Sequence, residues 1–408
     1  MSLSKHESLD SQVRERARRS QPSLIWMMAS ASTVVFLALG YLLGRRVTAR
    51  SDFEVIWSAM RSFDAGRTPF DVHGFAFLPG SLLILSPLGI FKQNVAGFLW
   101  TFGSEAAAIC AVLILLRMLI PENRSKRLLL ASLSGLILLT GPTFSDLAIG
   151  NISCVLLLVA ATVLFILCRG PSNYDPLLAA ATGLLLGASL AIKPLLVGLL
   201  LMLAVWGRWR IIAWATGTAL TLTGTALLIA PSPGQFFHRV VPFILSRQAL
   251  PDASHSANIS LYGVGLIFHV PTVAIIVIRI AVALTSLFAS WRLLTITTHP
   301  IALRAICGFT AIELGVILTF PIAWDYYGVL LIPLIVSLTV FDDLRRNWLI
   351  IAGLLLAVFP DTFIWHQFSP RTISATTLRI TIGLLTVLTG LAIRAWRENR
   401  RMEVRQES

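Results

Sequence analysis

Apolar residues in this chain come in long unbroken runs, and polar residues are confined to the short stretches between them. The first run, Leu24 to Leu43, is about 20 residues long, enough to span a bilayer as a helix. Further runs follow at Val95–Ile120, Leu128–Thr140, Ile152–Leu167, Leu177–Ile192, Leu195–Trp206, Ile211–Ala230 and Pro271–Leu294. The series closes with Ile301–Phe320, Gly328–Val340, Trp348–Phe359 and Ile373–Ile393. Leu78–Ile90 is shorter and broken by Pro79 and Pro87, which suits a short broken span or a re-entrant segment. With it the chain has about thirteen apolar segments, of which about twelve are expected to cross. The pattern predicts an all-α polytopic membrane protein. Its expected organisation is a basic tail over 1–23, one membrane domain over 24–394 and a second basic tail over 395–408.

Two polar loops stand out, 44–77 and 231–260. In the first, residues 52–64 carry apolar positions at helical spacing: Phe53, Ile56, Trp57 and Met60 share a face. Asp52 and Glu54 open that helix, where acidic groups are favoured by the helix dipole, and Gly66 ends it. The second loop mixes His238, Arg239, Arg247, His255 and Asn258 with Phe236, Phe237 and Phe243, a pattern suited to the membrane interface.

Composition agrees with a membrane chain. Of 408 residues, 56% are hydrophobic and 13% charged, and mean hydropathy is +0.79; a soluble domain has about a quarter charged. The net charge of +13 does not imply nucleic acid, because the basic residues lie at both tails and in short loops. That is the distribution of cytoplasmic, membrane-flanking charge. It places both tails inside, so the number of crossings is even. Residues 121–127, Arg208 with Arg210, and the turn at Asp342 then face the cytoplasm. The loops 44–77 and 231–260, the turn Gly141–Asn151, Lys193 and the turn Pro321–Tyr327 gather on the opposite face. No small-residue cleavage pattern follows the first run, which is read as a span and not a removable signal. The four cysteines lie in or beside apolar runs without metal spacing.

A polar cluster at the membrane rim is a functional-site hypothesis by default. There is no zinc-ligand spacing, phosphate-cradling glycine loop or nucleophilic Ser/Cys constellation, so neither metal nor cofactor is expected. Carboxylates, arginines, a lysine and aromatics suit a lipid-linked phosphosugar. Arg67, Lys193, Arg239 or Arg247 would hold the phosphate and stabilise it as it leaves. A polyprenyl phosphate leaves readily, so one carboxylate accepting the acceptor's proton suffices, and direct attack inverts the anomeric carbon. Trp57, Trp324, Tyr326 and Tyr327 are candidates for stacking on sugar rings, or for an interfacial aromatic belt. Lys193 is equally read as a snorkelling side chain, and Asp52 as a helix cap.

The order of these elements resembles glycosyltransferase family 87, polyprenol-phosphate-mannose-dependent enzymes of the GT-C superfamily. The first-loop pattern matches at Asp52-Phe53, Trp57, Ala59, Gly66, Pro69-Phe70 and Pro79, with Phe70 in place of the usual tyrosine. The family's Gly-Gln-x-Asn element resembles Gly150 to Ser153, with both polar residues changed. Ala191 to Pro194, the turn Trp206–Arg210 and Asn258 to Leu261 match further elements. Trp324-Asp325-Tyr326 matches a Trp-x-His turn with tyrosine in place of histidine. The similarity covers roughly residues 50–340. It implies a GT-C bundle with interfacial helices in its outer loops and Asp52 as general base. It also implies metal-independent transfer of a sugar, mannose by family, from a polyprenyl-phosphate donor to a glycolipid or glycan hydroxyl. The site would face the periplasm or exterior of a prokaryotic cell. Candidate substrate-binding residues are Glu54, Trp57, Arg67, Asn151, Lys193, Arg239, Arg247, His255, Asn258, Trp324, Asp325 and Tyr326. Two other classes stay open: a flippase for a lipid-linked saccharide, which should show paired broken helices in two halves, and a non-catalytic binding scaffold.

Overall fold

The structure is a computed structural model describing residues 52–120, 134–169, 175–242, 258–296, 298–359 and 370–407, with residues 31, 34–38 and 42. The first tail, most of the run Leu24–Leu43, the basic loop 121–127, Arg247 and His255 lie outside the described residues.

The described chain is helical throughout, and among the described residues the sole extended pairing is an antiparallel bridge between Asn258 and Trp324. Helix α1 is Asp52–Asp64, followed by α2 (Gly80–Leu85), α3 (Pro87–Ile90) and α4 (Gln93–Leu119). Then come α5 (Gly141–Ile149), α6 (Ser153–Arg169), α7 (Pro176–Ile192) and α8 (Val197–Val205). The remaining long helices are α9 (Trp209–Ile229), α10 (Thr272–Thr295), α11 (Ile301–Thr319), α12 (Trp348–Val358) and α13 (Pro370–Glu407). Shorter helical turns link them.

Five described helices are long and apolar enough to cross a membrane: α4, α9, α10, α11 and the Ala375–Glu398 part of α13. Five more apolar helices have 10–17 residues. These helices do not count the twelve crossings expected, because most of the run Leu24–Leu43 and part of Leu128–Thr140 lie outside the described residues. Several apolar runs contain a break in the helix, as at Lys193-Pro194, and hydropathy counts residues without seeing where the backbone turns.

Small residues set the packing. Gly183 and Gly187 of α7 let it lie directly on α9: a Cβ at either would come within 2.4 Å of Trp214 Cβ or the Ala215 carbonyl. Gly353 of α12 and Gly383 of α13 do the same for that pair. Helix α11 is buried from Ala302 to Leu318 and forms the centre, whereas α9 and α10 leave Leu220, Leu228, Val273 and Leu284 exposed. In a membrane these faces meet lipid.

The bundle has two polar ends. At one, Arg279 of α10 donates to the Thr319 carbonyl at the end of α11, and Thr381 of α13 donates to the Ile259 carbonyl. At the other, His299 lies between Arg394 (3.0 Å) and Glu398 (3.5 Å) of α13. The first end carries the residues of interest.

Candidate active site

Helix α1 is amphipathic as its spacing predicts. Phe53, Ile56, Ala59 and Met60 are buried, with Phe53 against Trp100 and against Gly97 of α4. Its other contacts fix the short pair α2–α3: the Trp57 indole donates to the Phe91 carbonyl (3.1 Å) and Arg61 to the Gly89 carbonyl (3.1 Å). The expected short broken segment is therefore a helical pair clamped under α1. Trp57 is a fastening for it, with its N–H already engaged.

This anchoring sets Asp52, half-buried, at the start of α1 against two other breaks in the bundle. One is the turn between α5 and α6. Gly150 adopts φ 68°, a left-handed conformation that ends α5 and reverses the chain. The Trp100 indole N–H binds the Gly150 carbonyl at 2.8 Å. Asn151 follows directly, and its Nδ2 donates to Asp52 Oδ2. The second break is at Lys193, where α7 stops in extended backbone before Pro194. Leu78 N–H binds the Ile192 carbonyl at 3.0 Å, tying the first loop to this break. Lys193 Nζ donates to Asn151 Oδ1 at 3.2 Å. One carboxamide thus holds the carboxylate on one side and the ammonium on the other.

Aromatic rings wall the ammonium. Its Nζ lies 5.4 Å from the Phe77 ring centroid, 5.3 Å from Tyr326 and 4.8 Å from Tyr327. Their faces attract a cation. Tyr326 also donates its hydroxyl to Asp52 Oδ2 at 3.3 Å. Asn151 and Tyr326 therefore share one carboxylate oxygen, and among the described residues no hydrogen bond reaches Asp52 Oδ1. Of the expected site residues, Asp52, Asn151, Lys193 and Tyr326 are brought together.

Asp146 supports this centre and was not expected as a site residue. It is fully buried and accepts the first backbone N–H groups of α6, from Ser153 (3.1 Å) and Cys154 (3.0 Å). A carboxylate at a helix N-terminus is favoured by the dipole. Burial pushes its pKa up, and those hydrogen bonds pull against the rise. The sequence signal is a lone carboxylate four residues before Gly150-Asn151 in an otherwise apolar turn. Asp325 is also buried; desolvation raises its carboxyl to about 6, opposed first by a hydrogen bond with Ser145.

Other expected residues are placed elsewhere. Asn258 is enclosed in a backbone clamp, donating to the Pro321 carbonyl (2.9 Å) and accepting from Ser260 (3.1 Å) and Ala323 (2.9 Å). This clamp holds the turn bearing Trp324, Asp325 and Tyr326, and Trp324 is half-buried within it. Glu54 stands two residues beyond Asp52, on another side of α1. Arg67 lies at the far end of α1, with its N–H on the Ser62 carbonyl. Arg239 sits on a π-helical turn, Phe236–Val240, and pairs with Asp71 at 2.7 Å. Among the described residues, no three His, Cys, Asp or Glu side chains are grouped as metal ligands.

This bundle is a multi-pass membrane scaffold with a hydrogen-bonded carboxylate and ammonium at its rim. The model for glycosyltransferase family 87 matches residues 75–321, and the chain belongs to that family of glycosyltransferases. The matched stretch begins after Asp52. Relatives named alpha-(1->3)-arabinofuranosyltransferase are similar over longer spans. That of Mycobacterium tuberculosis (strain H37Rv) is 26% identical over 353 residues, 82% of this chain and 77% of the relative. That of Corynebacterium glutamicum is 25% identical over 362 residues, 85% and 81% of the two chains. The Mycolicibacterium smegmatis relative is 24% identical over 361 residues, 82% of this chain and 77% of its own. No solved structure matches the chain.

Proposed function

We propose that this glycosyltransferase moves a sugar from a polyprenyl-phosphate donor to a glycan or glycolipid hydroxyl at the extracytoplasmic face, with Asp52 as base and Lys193 as the phosphate's cation. The carrying observation is the Asn151 bridge, which holds the carboxylate and the ammonium on one carboxamide. In this reading Asp52 Oδ1 takes the proton from the acceptor hydroxyl. The acceptor oxygen forms the new bond to the anomeric carbon as the bond from that carbon to the phosphate oxygen breaks. The electron pair leaves with the phosphate, and the configuration inverts. An ammonium has three donors. One of those on Lys193 goes to Asn151, and the others serve the phosphate. The ring wall excludes water, which strengthens that attraction.

This reading prefers Lys193 to Arg67 and Arg239. Arg239 already faces Asp71, and Arg67 is a helix length away from Asp52. For the sugar, the relatives' names favour arabinofuranose over the mannose implied by the family resemblance.

The test offers purified protein polyprenyl-phosphate arabinofuranose and polyprenyl-phosphate mannose side by side, with a glycan acceptor mixture, and follows products by mass spectrometry. Product from the arabinose donor, with Asp52→Asn slower by about 10²–10⁴-fold while still binding donor, supports the reading. Wild-type rates in Asp52→Asn would make that residue a helix cap. Product from the mannose donor alone would overturn the sugar assignment and leave the reaction.

A further inference from the structure

A second polar feature lies at the other end of α1. An open depression is lined by Ser62, Arg67, Thr68, Asp71 and Val72. At a rise of 1.5 Å per residue, Ser62 lies ~15 Å along the helix from Asp52. The depression is held in shape from two directions. Phe70 packs on Phe236 with centroids 5.6 Å apart, and Asp71 pairs with Arg239 of the same π-helical turn. The Thr68 hydroxyl is buried and has no hydrogen-bond partner among the described residues.

From this lining we infer a subsite for the distal units of a neutral glycan acceptor, deepening the transferase reading on which it rests. The residue types decide the ligand. A phosphate or anionic lipid headgroup would meet Arg67, but it would also meet the Asp71 carboxylate in the same wall. A sugar presents neighbouring hydroxyls that donate to a carboxylate and accept from a guanidinium, and its C–H face covers an apolar side chain such as Val72. The ~15 Å along α1 sets the register. A glycan with its end hydroxyl at Asp52 reaches Arg67 only after a few sugar units, so this subsite senses acceptor length and not the reacting sugar.

Binding tests this without donor or turnover. Purified wild type, Arg67→Ala and Ser62→Ala would be titrated with neutral arabinan oligosaccharides of increasing length, and separately with inorganic phosphate and anionic-lipid vesicles. The expected result is tighter binding as the oligosaccharide lengthens. Arg67→Ala should lose that gain by about tenfold, the worth of one charge-assisted hydrogen bond, and Ser62→Ala by a smaller factor. Binding independent of length, equal binding by all three proteins, or an Arg67-dependent response to phosphate or vesicles with none to glycan would each overturn the inference. Since no product is read, failure of the transferase reading shows in the donor assay and not here.

Discussion

At the scale of single residues, Asn151 is the most constrained side chain at the site. Its amide group serves Asp52, and its carbonyl oxygen serves Lys193 and the Ile152 N–H at 2.7 Å. Asn151→Ala would loosen both charged groups while removing no charge, leaving Asp52 to Tyr326 and Lys193 to its ring wall. The expected outcome is a fall in kcat of about a hundredfold, the scale of a misplaced reacting group, and a stability loss of about 1–3 kcal/mol as the buried Ile152 N–H loses its acceptor. Lys193→Ala should fall by a similar factor through lost charge, with weaker donor binding, and Lys193→Arg should recover part of it. Asp325 makes a different prediction. Its folded pKa, about 6, is raised above the 3.8 of an ordinary aspartate. Between those values the folded state holds the proton that the unfolded state has released. Stability is therefore lost as pH rises from about 4 to 6, by roughly 3 kcal/mol at the upper limit. Melting temperatures in detergent should show that decline in wild type and a flatter profile in Asp325→Asn.

At the scale of elements, the site is made of interruptions. Asp52 starts a helix, Asn151 follows a left-handed glycine, Lys193 sits where α7 stops, and Tyr326 lies in a 3₁₀ turn. Two glycines guard these breaks. A Cβ at Gly80 would lie 2.6 Å from Ala191 Cβ and 2.9 Å from its carbonyl, so Gly80→Ala must push the short α2–α3 pair away from the Lys193 break. Overpacking of this kind costs about 1–3 kcal/mol and should lower activity as well. Gly150→Ala meets the left-handed penalty, about 1 kcal/mol, directly beside Asn151. Thermal shift and turnover on the two variants check both. Much of this was legible in the chain. The helix 52–64 and its end at Gly66 followed from spacing and a glycine, and Lys193 was conspicuous because hydrocarbon surrounds it. What the pattern could not convey was side-chain direction. Asn258 and Trp57 sit in the right loops but spend their polar atoms on backbone. The pattern does not mark Asp146, because a buried carboxylate capping a helix is indistinguishable in sequence from part of a polar turn. Phe77 reads as an ordinary apolar residue and Tyr327 as a sugar-stacking or interfacial one, and only the fold turns their rings towards Lys193.

At the scale of the whole molecule, the two polar ends divide the work. One end holds Asp52, Lys193 and the depression near Arg67; the other is closed by His299, Arg394 and Glu398. If the bundle crosses the membrane as its apolar helices direct, single cysteines at His73 and Arg400 should react with an impermeant maleimide from opposite sides of a cell. His73→Cys is expected to label from outside; labelling of both from one side would contradict the proposed facing. The lipid-exposed flanks of α9 and α10 carry no part of the site, so substitution of Leu228 or Val273 by another apolar residue should leave turnover unaltered.

Tyr326 and Asp52 share a hydrogen bond across 274 positions of sequence. A ribosome delivering this chain to the membrane finishes Asp52, Asn151 and Lys193 long before it reaches Tyr326, and the Thr381 brace on Ile259 arrives later still. A nascent chain carries an incomplete pocket for most of its insertion. On the proposed mechanism, competence to act then marks the end of biogenesis, and a prematurely released fragment is expected to stay silent.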